Sequence, residues 1–426
     1  MIGSGATGLT AAYILQREAD VTLYEADDRL GGHADTHDVL DEAGRPVSVD
    51  TGFIVHNERT YPNLLRLFAE LEVATQASEM SMSVRCGGCG LEYAGSRGFG
   101  GLFPAVSNAT NPRYLYLLTE VLRFHRRAKA LLAEREAPAG SRQTGSLQTG
   151  NLQTMDEFLA EGRFSSYFRL HFVTPLISAV WSCSPELAGR YPAHYLFQFL
   201  DHHGMLSIGG SPQWRTVVGG SGSYVERAAK QLSAVLTSTP VRGISRLDSG
   251  VLVREDAGNS ERFDAAVIAT HPHQALAMLT EPSEAERRIL GAIGYSQNPT
   301  TLHTDTSVLP RASRARSSWN YYLPACAASA SAVHVTYDMN RLQRLDSETR
   351  YLVTLNDAGS VADEAVLDRM VYEHPVFTPE SVAALAELPT LNDGLIAFAG
   401  AYHGWGFHED GCRSGVQAAG SLGVRW

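Results

Sequence analysis

The stretch G-S-G-A-T-G at residues 3–8 has the form G-x-G-x-x-G and runs directly into the helix-like residues 9–15. Its glycines allow a tight turn, close approach of the backbone to a pyrophosphate and close helix packing. The helix N-terminus then faces the phosphates. Residues 21–24 predict a second strand, and Glu25, 20 residues after Gly5, can accept hydrogen bonds from ribose hydroxyls. The stretch therefore predicts a Rossmann-like α/β domain that binds an adenine dinucleotide.

The motif requires a strand before its first glycine, and only Met1 and Ile2 precede Gly3. We expect either that the natural protein starts upstream of residue 1 or that the first strand of the sheet is missing. A missing strand would weaken retention of the cofactor.

Composition narrows the class of protein. The chain has 426 residues, of which 44% are hydrophobic and 19% charged, typical of a globular protein of two to three domains. A net charge of −11 argues against nucleic acid as the main partner. Five cysteines suit a reducing compartment better than a disulfide framework. Because neither a signal peptide nor a spanning apolar run is present, we predict a cytoplasmic protein.

Two further segments resemble the flavin amine oxidase superfamily. Residues 25–32 read E-A-D-D-R-L-G-G, and residues 49–54 read V-D-T-G-F-I. The resemblance implies that Arg29 and the double glycine lie along the phosphates of FAD, and that residues 51–54 approach its isoalloxazine ring. The family usually has arginine after the double glycine, whereas this chain has His33, which can still donate a hydrogen bond.

The later part of the chain extends this resemblance. A-T-H-P at 269–272, F-A-G at 398–400 and G-F-H-E-D-G at 406–411 are similar to superfamily segments, and the last leads into a helix whose N-terminus would approach the flavin. The chain resembles in particular bacterial FAD-binding oxidoreductases associated with cyclopropane-fatty-acid synthases. The resemblance implies noncovalent FAD contacts from Gly3, Gly5, Ala6, Thr7, Gly8, Glu25, Ala26, Arg29, Gly31, Gly32, His33, Thr51, Gly52, Phe53, Ile54, Val241, Gly400, Ala401, Phe407, His408, Glu409, Asp410 and Gly411.

The predicted fold class is α/β, with a Rossmann-like FAD-binding domain of the amine oxidase and glutathione reductase type and an inserted, mainly helical substrate domain. The FAD-binding domain is predicted from residues 1–58, 205–275 and 390–426. The substrate-binding domain is predicted from residues 59–204 and 276–389.

Three other segments carry weaker patterns. Helix-like residues 113–135 have a basic face, which predicts a solvated surface helix, with peripheral contact to an anionic membrane as the alternative. Residues 140–153 repeat Q-T-G and predict a mobile surface loop. G-G-S-G at 219–222 resembles a second phosphate loop, but its third glycine is absent. We therefore interpret it as a decoy, that is, a loop that does not bind a phosphate.

C-x-x-C at Cys86 and Cys89 could be a redox pair or half a zinc site. Because no second C-x-x-C pair exists in the sequence, we predict a glycine-rich tip of a hairpin over residues 81–94 and no metal.

Amine oxidation in this superfamily commonly uses a lysine near the flavin. The corresponding residues, 295–302, contain none, and the only lysines are Lys129 and Lys230. A lysine-dependent amine oxidase is therefore disfavoured. Because no second nucleotide motif is present, we expect electrons to leave to oxygen or another carrier.

The favoured function is an FAD-dependent oxidoreductase that removes a hydride from an apolar, fatty-acyl or lipid substrate. Three alternatives stay open: a fatty-acid or carotenoid-type flavin isomerase, an amine oxidase, and a non-catalytic flavoprotein partner of a lipid methyltransferase. A long apolar pocket is expected between residues 53–55 and 172–181.

The richest cluster of aromatic and histidine residues is at 402–408. Tyr402 and His403, with His56, are the catalytic candidates, because histidine can act as a base near neutral pH. Trp181 and Trp405 are the candidate substrate contacts. Packing within the core is the alternative role for all of them.

Overall fold

The computed structural model describes residues 1–136, 153–206, 211–327 and 333–426. The strands in these residues are β1 Thr22–Tyr24, β2 Thr36–Leu40, β3 Pro46–Asp50, β4 His56–Asn57, β5 Thr75–Ala77, β6 Met82–Cys86, β7 Glu92–Ala94, β8 Trp214–Val217, β9 Ala234–Leu236, β10 Val241–Arg246, β11 Val251–Glu255, β12 Ser260–Phe263, β13 Ala266–Ile268, β14 Gly294–His303, β15 Trp319–Leu323, β16 Val335–Asp338, β17 Leu352–Leu355, β18 Val366–Val376 and β19 Ile396–Phe398. The helices are α1 Ala6–Leu15, α2 Pro62–Glu70, α3 Gly98–Leu102, α4 Val106–Thr110, α5 Pro112–Glu136, α6 Met155–Glu161, α7 Ser166–Phe168, α8 Thr174–Trp181, α9 Pro185–Ala188, α10 Ala193–His202, α11 Gly222–Ala229, α12 Pro272–Met278, α13 Glu284–Gly291, α14 Met339–Leu342, α15 Pro379–Leu385 and α16 His408–Ser421.

A parallel sheet forms the centre of the nucleotide-binding part. β1 pairs with β9, and β13 pairs with β19. Ile2 lies between the two pairs, since it bridges to Tyr24 on one side and to Ile268 on the other. Gly3 donates its N–H to Tyr24 O (2.9 Å), and Ala269 donates its N–H to Ile2 O (2.8 Å). The expectation of a missing first strand is therefore wrong, because Ile2 and its neighbours occupy its place.

Helix α1 is buried on almost every side, because it packs against the sheet, α11 and α16. A Cβ at Gly415 of α16 would lie 2.6 Å from Thr7 O, so a glycine is needed where the two helices approach.

Strands β10, β11 and β12 add a separate antiparallel sheet. This arrangement is a Rossmann-like α/β fold, as predicted.

The predicted substrate domain holds most of the helices, as expected, together with a large sheet that the sequence analysis did not predict. It contains a seven-stranded sheet in the order β18-β14-β17-β16-β15-β6-β7, in which β15 and β6 run parallel and the other pairs antiparallel. Its strands come from residues 82–94 and 294–376, so the pairing depends on contacts between distant parts of the chain. The domain boundaries remain a prediction, and the small sheet β4-β8-β5 joins segments from both predicted domains.

The long helix predicted over residues 113–135 is confirmed as α5. Two of its arginines pair with carboxylates: Arg123 contacts Glu120 at 2.9 Å and Arg127 contacts Glu161 at 3.8 Å. In the described part of the chain, no helix has both the length and the apolar character needed to cross a membrane. Most of the predicted loop over 140–153 lies outside the described residues.

Candidate functional site

A cavity of about 820 Å³ begins at the loop of residues 3–7 and ends between the seven-stranded sheet and α8. Gly5 precedes α1 with φ −62° and ψ 176°, and a Cβ built there meets no heavy atom of the described residues within 4 Å. At Gly8, by contrast, a Cβ would lie 1.9 Å from Gly3 O. Gly8 is thus needed where the start of α1 meets the backbone of Gly3, while Gly5 leaves room for a phosphate at a helix N-terminus.

Glu25 follows β1 at the edge of the cavity. Its carboxylate accepts hydrogen bonds from Ser4 N (2.9 Å), Ser4 Oγ (2.5 Å) and Asp27 N (3.0 Å). Ala26 and Val241 line the cavity beside it. Glu25 therefore supports the loop of residues 3–7 and lines the cavity, and its contact with a ribose remains a prediction.

The second predicted phosphate segment is ordered by internal contacts. Arg29 contacts Asp35 Oδ2 at 3.0 Å and donates to Gly32 O at 3.0 Å. Gly31 has φ +108° and does not line the cavity, but it bridges to Gly5. The residue after the double glycine is different: His33 Nε2 is buried without a hydrogen-bond partner among the described residues.

Asp50 fixes the segment that lines the middle of the cavity. Its Oδ1 accepts from Thr36 Oγ1 (2.6 Å) and from Ser221 N and Oγ (2.8 Å each), and its Oδ2 accepts from Gln343 Nε2 (2.9 Å). Burial outweighs these bonds and raises the pKa of Asp50 to about 6. The loop of residues 219–222 therefore faces the protein's own carboxylate, which agrees with its interpretation as a decoy. Residues 51–55 after Asp50 all line the cavity.

Only some of the cofactor residues predicted between Gly400 and Gly411 line the cavity. Gly400, Ala401, Phe407, His408 and Gly411 line the cavity. Glu409 does not, because its carboxylate accepts from the N–H groups of Asn63 and Leu64 at the start of α2. Asp410 is also outside the lining, because it accepts from Phe407 N–H and pairs with Arg413. The structure gives both acidic side chains a role in the fold.

The three catalytic candidates are not brought together. Tyr402 lines the cavity, and its buried hydroxyl has no partner among the described residues. His403 and His56 lie outside the lining, and burial lowers the pKa of each to about 4. His56 packs edge-on against Phe68 at 5.3 Å, so the structure places it in the core.

The two predicted substrate contacts meet at the cavity. Trp181 Nε1 donates to Trp405 O at 3.0 Å, and both residues line the cavity. Tyr195 OH donates to Gly404 O at 2.7 Å, so the C-terminal loop is fixed to α8 and α10. Beyond them the wall is apolar and is formed by Met80, Val180, Phe199, Met205, Trp319, Tyr337, Leu355 and Met370.

Sequence reasoning missed a polar group in the cavity wall. His374 lies in β18 opposite Ser296 of β14, and its Nδ1 contacts Asn298 Nδ2 at 3.0 Å. The His33 and His374 rings are 5.5 Å apart. Burial lowers the pKa of His33 to about 4 and that of His374 to about 3, so both are neutral at pH 7. No motif marks His374, and only strand pairing brings it here.

A protein-family profile matches this chain over almost its whole length. The profile of the family "Flavin containing amine oxidoreductase" matches residues 6–422. The chain belongs to this family. A Mycobacterium tuberculosis protein named as a flavin-containing monoamine oxidase, AofH, is 28% identical over 290 residues, which are 66% of this chain and 58% of that protein. The chain thus spans less than two thirds of that relative.

Solved structures of the same fold include enzymes with different substrates. Putrescine oxidase bound to putrescine has a TM-score of 0.68 at 16% identity, and cyclohexylamine oxidase from Brevibacterium oxydans has 0.68 at 18%. Both comparisons cover 99% of this chain and 97% of the other. A CLA-producing fatty acid isomerase from P. acnes has a TM-score of 0.71 at 17% identity, over 99% and 98%. These likenesses establish the fold.

FAD is the cofactor of this amine oxidoreductase family member, and the site fits it. The open space at Gly5, the carboxylate of Glu25 and the unpartnered His33 Nε2 lie along one cavity. FAD, when bound, supplies a two-electron acceptor. The individual contacts predicted for FAD remain predictions.

Glu25→Ala is expected to weaken FAD binding by about 1.5–3 kcal/mol, because charge-assisted hydrogen bonds to the ribose and support of Ser4 are both lost. Titration of apoprotein with FAD measures this. Asp28→Ala, in the same turn but exposed and outside the cavity, is the control and should bind normally. Unchanged affinity in Glu25→Ala would show that the ribose assignment is wrong.

Proposed function

We propose that this protein is an FAD-dependent oxidoreductase that removes a hydride from an apolar substrate of the fatty-acyl or lipid class. The observation that carries the proposal is the apolar end of the cavity beyond Trp181 and Trp405. A chain of methylene groups gains about 0.8 kcal/mol for each group that it buries in such a wall.

The charges around the cavity favour this substrate over an amine. Among the described residues that line it, the carboxylates are Glu25, Asp27 and Glu373. Glu25 and Asp27 belong to the turn after β1, and Glu373 contacts His271 Nδ1 at 2.7 Å. A cationic amine at the apolar end would lose its hydration without gaining an ionic partner.

The lysine that amine oxidases of this superfamily commonly use is missing from this chain at the corresponding position. The strand β14 carries Asn298 and Pro299 in the region where the superfamily commonly has lysine, and Asn298 is committed to His374. Lys129 and Lys230 line no part of the cavity.

Oxidation of the acyl chain removes one hydride and one proton, and a carbon–carbon double bond forms. The two electrons leave with the hydride, and molecular oxygen or another two-electron acceptor finally takes them. The proton leaves to solvent, because burial lowers the pKa of both His33 and His374 and disfavours a charged imidazolium in the cavity wall.

Anaerobic mixing with candidate substrates, followed by flavin absorbance and mass spectrometry of the product, tests the proposal. Fatty acids or acyl esters should bleach the flavin and lose two hydrogens, whereas putrescine and cyclohexylamine should not bleach it. A product of unchanged mass with a moved double bond would instead support the isomerase. Bleaching by amines alone would contradict the lipid proposal.

Met370→Glu is expected to abolish lipid-driven bleaching while FAD is retained, because it places a charge in the apolar wall. We expect a fall in kcat/KM of at least about 100-fold, or about 2.7 kcal/mol. Leu367→Glu, on an exposed part of the same strand and outside the cavity, is the matched control. Equal rates in the two variants would exclude this wall as the substrate site.

A further inference from the structure

The hairpin tip between β6 and β7 belongs to a cluster of four metal-ligating side chains. Cys86 ends β6, Cys89 lies in the tip, His171 lies in the π-helical turn before α8, and Cys326 follows β15. Their Sγ and imidazole nitrogen atoms all lie within 4.8 Å of one another. The cluster does not need a second C-x-x-C pair, because the fold supplies His171 and Cys326 from segments far along the chain.

Three of the six distances between the ligand atoms are close to those of a tetrahedral site, and all six are within 4.8 Å. Zinc bound at about 2.3 Å from sulfur and about 2.0 Å from nitrogen places sulfurs about 3.8 Å apart and sulfur and nitrogen about 3.5 Å apart. Cys86 Sγ lies 3.5 Å from Cys326 Sγ, and His171 Nε2 lies 3.5 Å from Cys89 Sγ and 3.8 Å from Cys326 Sγ. A disulfide would require sulfurs about 2.05 Å apart.

The surroundings orient the ligands. His171 Nδ1 lies 3.0 Å from Tyr167 O, which can only accept, so Nδ1 carries the proton and Nε2 offers its lone pair to the cluster. The glycines of the tip allow two loops to meet: a Cβ at Gly87 would lie 2.7 Å from Pro324 O, and one at Gly88 would lie 2.6 Å from Cys326 N.

We propose that Cys86, Cys89, His171 and Cys326 bind one structural Zn²⁺. Four protein ligands close the coordination sphere, as in structural rather than catalytic zinc sites. None of the four lines the substrate and FAD cavity. The ion would join the hairpin, the helical layer and the loop after β15, and its binding energy would stabilise their packing.

Zinc analysis of the full chain, purified under reducing conditions without chelator, tests this site. Wild-type protein should hold about one Zn²⁺ per chain, and Cys89→Ser and His171→Ala should hold almost none. Cys183→Ala removes a buried cysteine outside the cluster and should keep the metal. Each preparation should have the same FAD content, because the site is separate from the cavity.

Two measurements on the wild-type protein, Co²⁺ loading and removal of Zn²⁺ by a chelator, do not depend on whether the variants fold. Wild-type protein loaded with Co²⁺ should show thiolate-to-cobalt and tetrahedral d–d absorption, the latter at longer wavelengths than the flavin bands. Removal of Zn²⁺ by a chelator should lower Tm, and its return should restore Tm. Wild-type protein that takes up no metal, variants that keep it, or a Cys86–Cys326 disulfide in the reduced native protein would overturn the proposal.

Discussion

Gly5→Ala is expected to fold and to lose FAD, whereas Gly8→Ala is expected to lose both fold and FAD. Gly5 has an ordinary negative φ and open space at its Cβ, so alanine should cost about 1 kcal/mol of folding free energy at this helix start. The added methyl group fills the space that the pyrophosphate needs, and FAD affinity should fall at least about 100-fold.

Comparison of Gly8→Ala with Gly5→Ala distinguishes an effect on folding from an effect on FAD binding. In Gly8→Ala the Cβ would lie 1.9 Å from Gly3 O, and no side-chain rotation can relieve contact with a backbone atom. We expect a loss of more than about 4 kcal/mol of folding free energy. Circular dichroism melts and FAD titration of both variants check the pair. Normal FAD affinity in Gly5→Ala would contradict the placement of the pyrophosphate.

Asp50→Ala is expected to lower the free energy of unfolding by about 3 kcal/mol or more. It leaves the buried donors of Thr36, Ser221 and Gln343 without their acceptor, and each such group costs about 1–3 kcal/mol. Asp38→Ala, on the adjacent strand, removes an exposed carboxylate and should change stability by less than about 0.5 kcal/mol. Denaturant unfolding of both variants measures the difference.

The same carboxylate should make stability depend on pH. Its pKa is about 6 in the folded protein against an ordinary 3.8, so the folded state binds the proton more tightly than the unfolded state. The contribution of Asp50 therefore falls by about 3 kcal/mol as pH rises from below 4 to above 6. Asn at position 50 does not titrate, so wild type minus Asp50→Asn should show this fall. A flat difference would mean that the folded-state pKa is not raised.

Local sequence patterns were sufficient to predict the secondary structure at the start of the nucleotide-binding part. The spacing from Gly3 to Glu25 predicts a turn, a helix and a second strand, and the structure has all three; the sheet position before the turn, which was expected to be missing, is taken by Ile2. This succeeds because the motif is a steric requirement of neighbouring residues: Gly8 contacts Gly3, and Glu25 contacts Ser4.

The substrate part was harder to predict, because its contacts are distant in sequence. The seven-stranded sheet joins strands from two segments separated by about two hundred residues, and short strands of this kind are stabilised by partners rather than by local propensity. His374 faces His33 only because β18 pairs with β14.

The amino-acid sequence by itself determined the dinucleotide fold, its family resemblance and the C-x-x-C tip, since each depends on residues close along the chain. Tertiary structure alone decided that Glu409 supports α2 rather than the cavity, that His56 lies in the core, and that His171 and Cys326 meet the cysteine tip. The physical reason is the same for all three. A side chain's role depends on the burial and the partners that folding supplies, and the local sequence pattern does not identify them: Phe68 lies 12 residues from His56, and Leu64 lies 345 residues from Glu409.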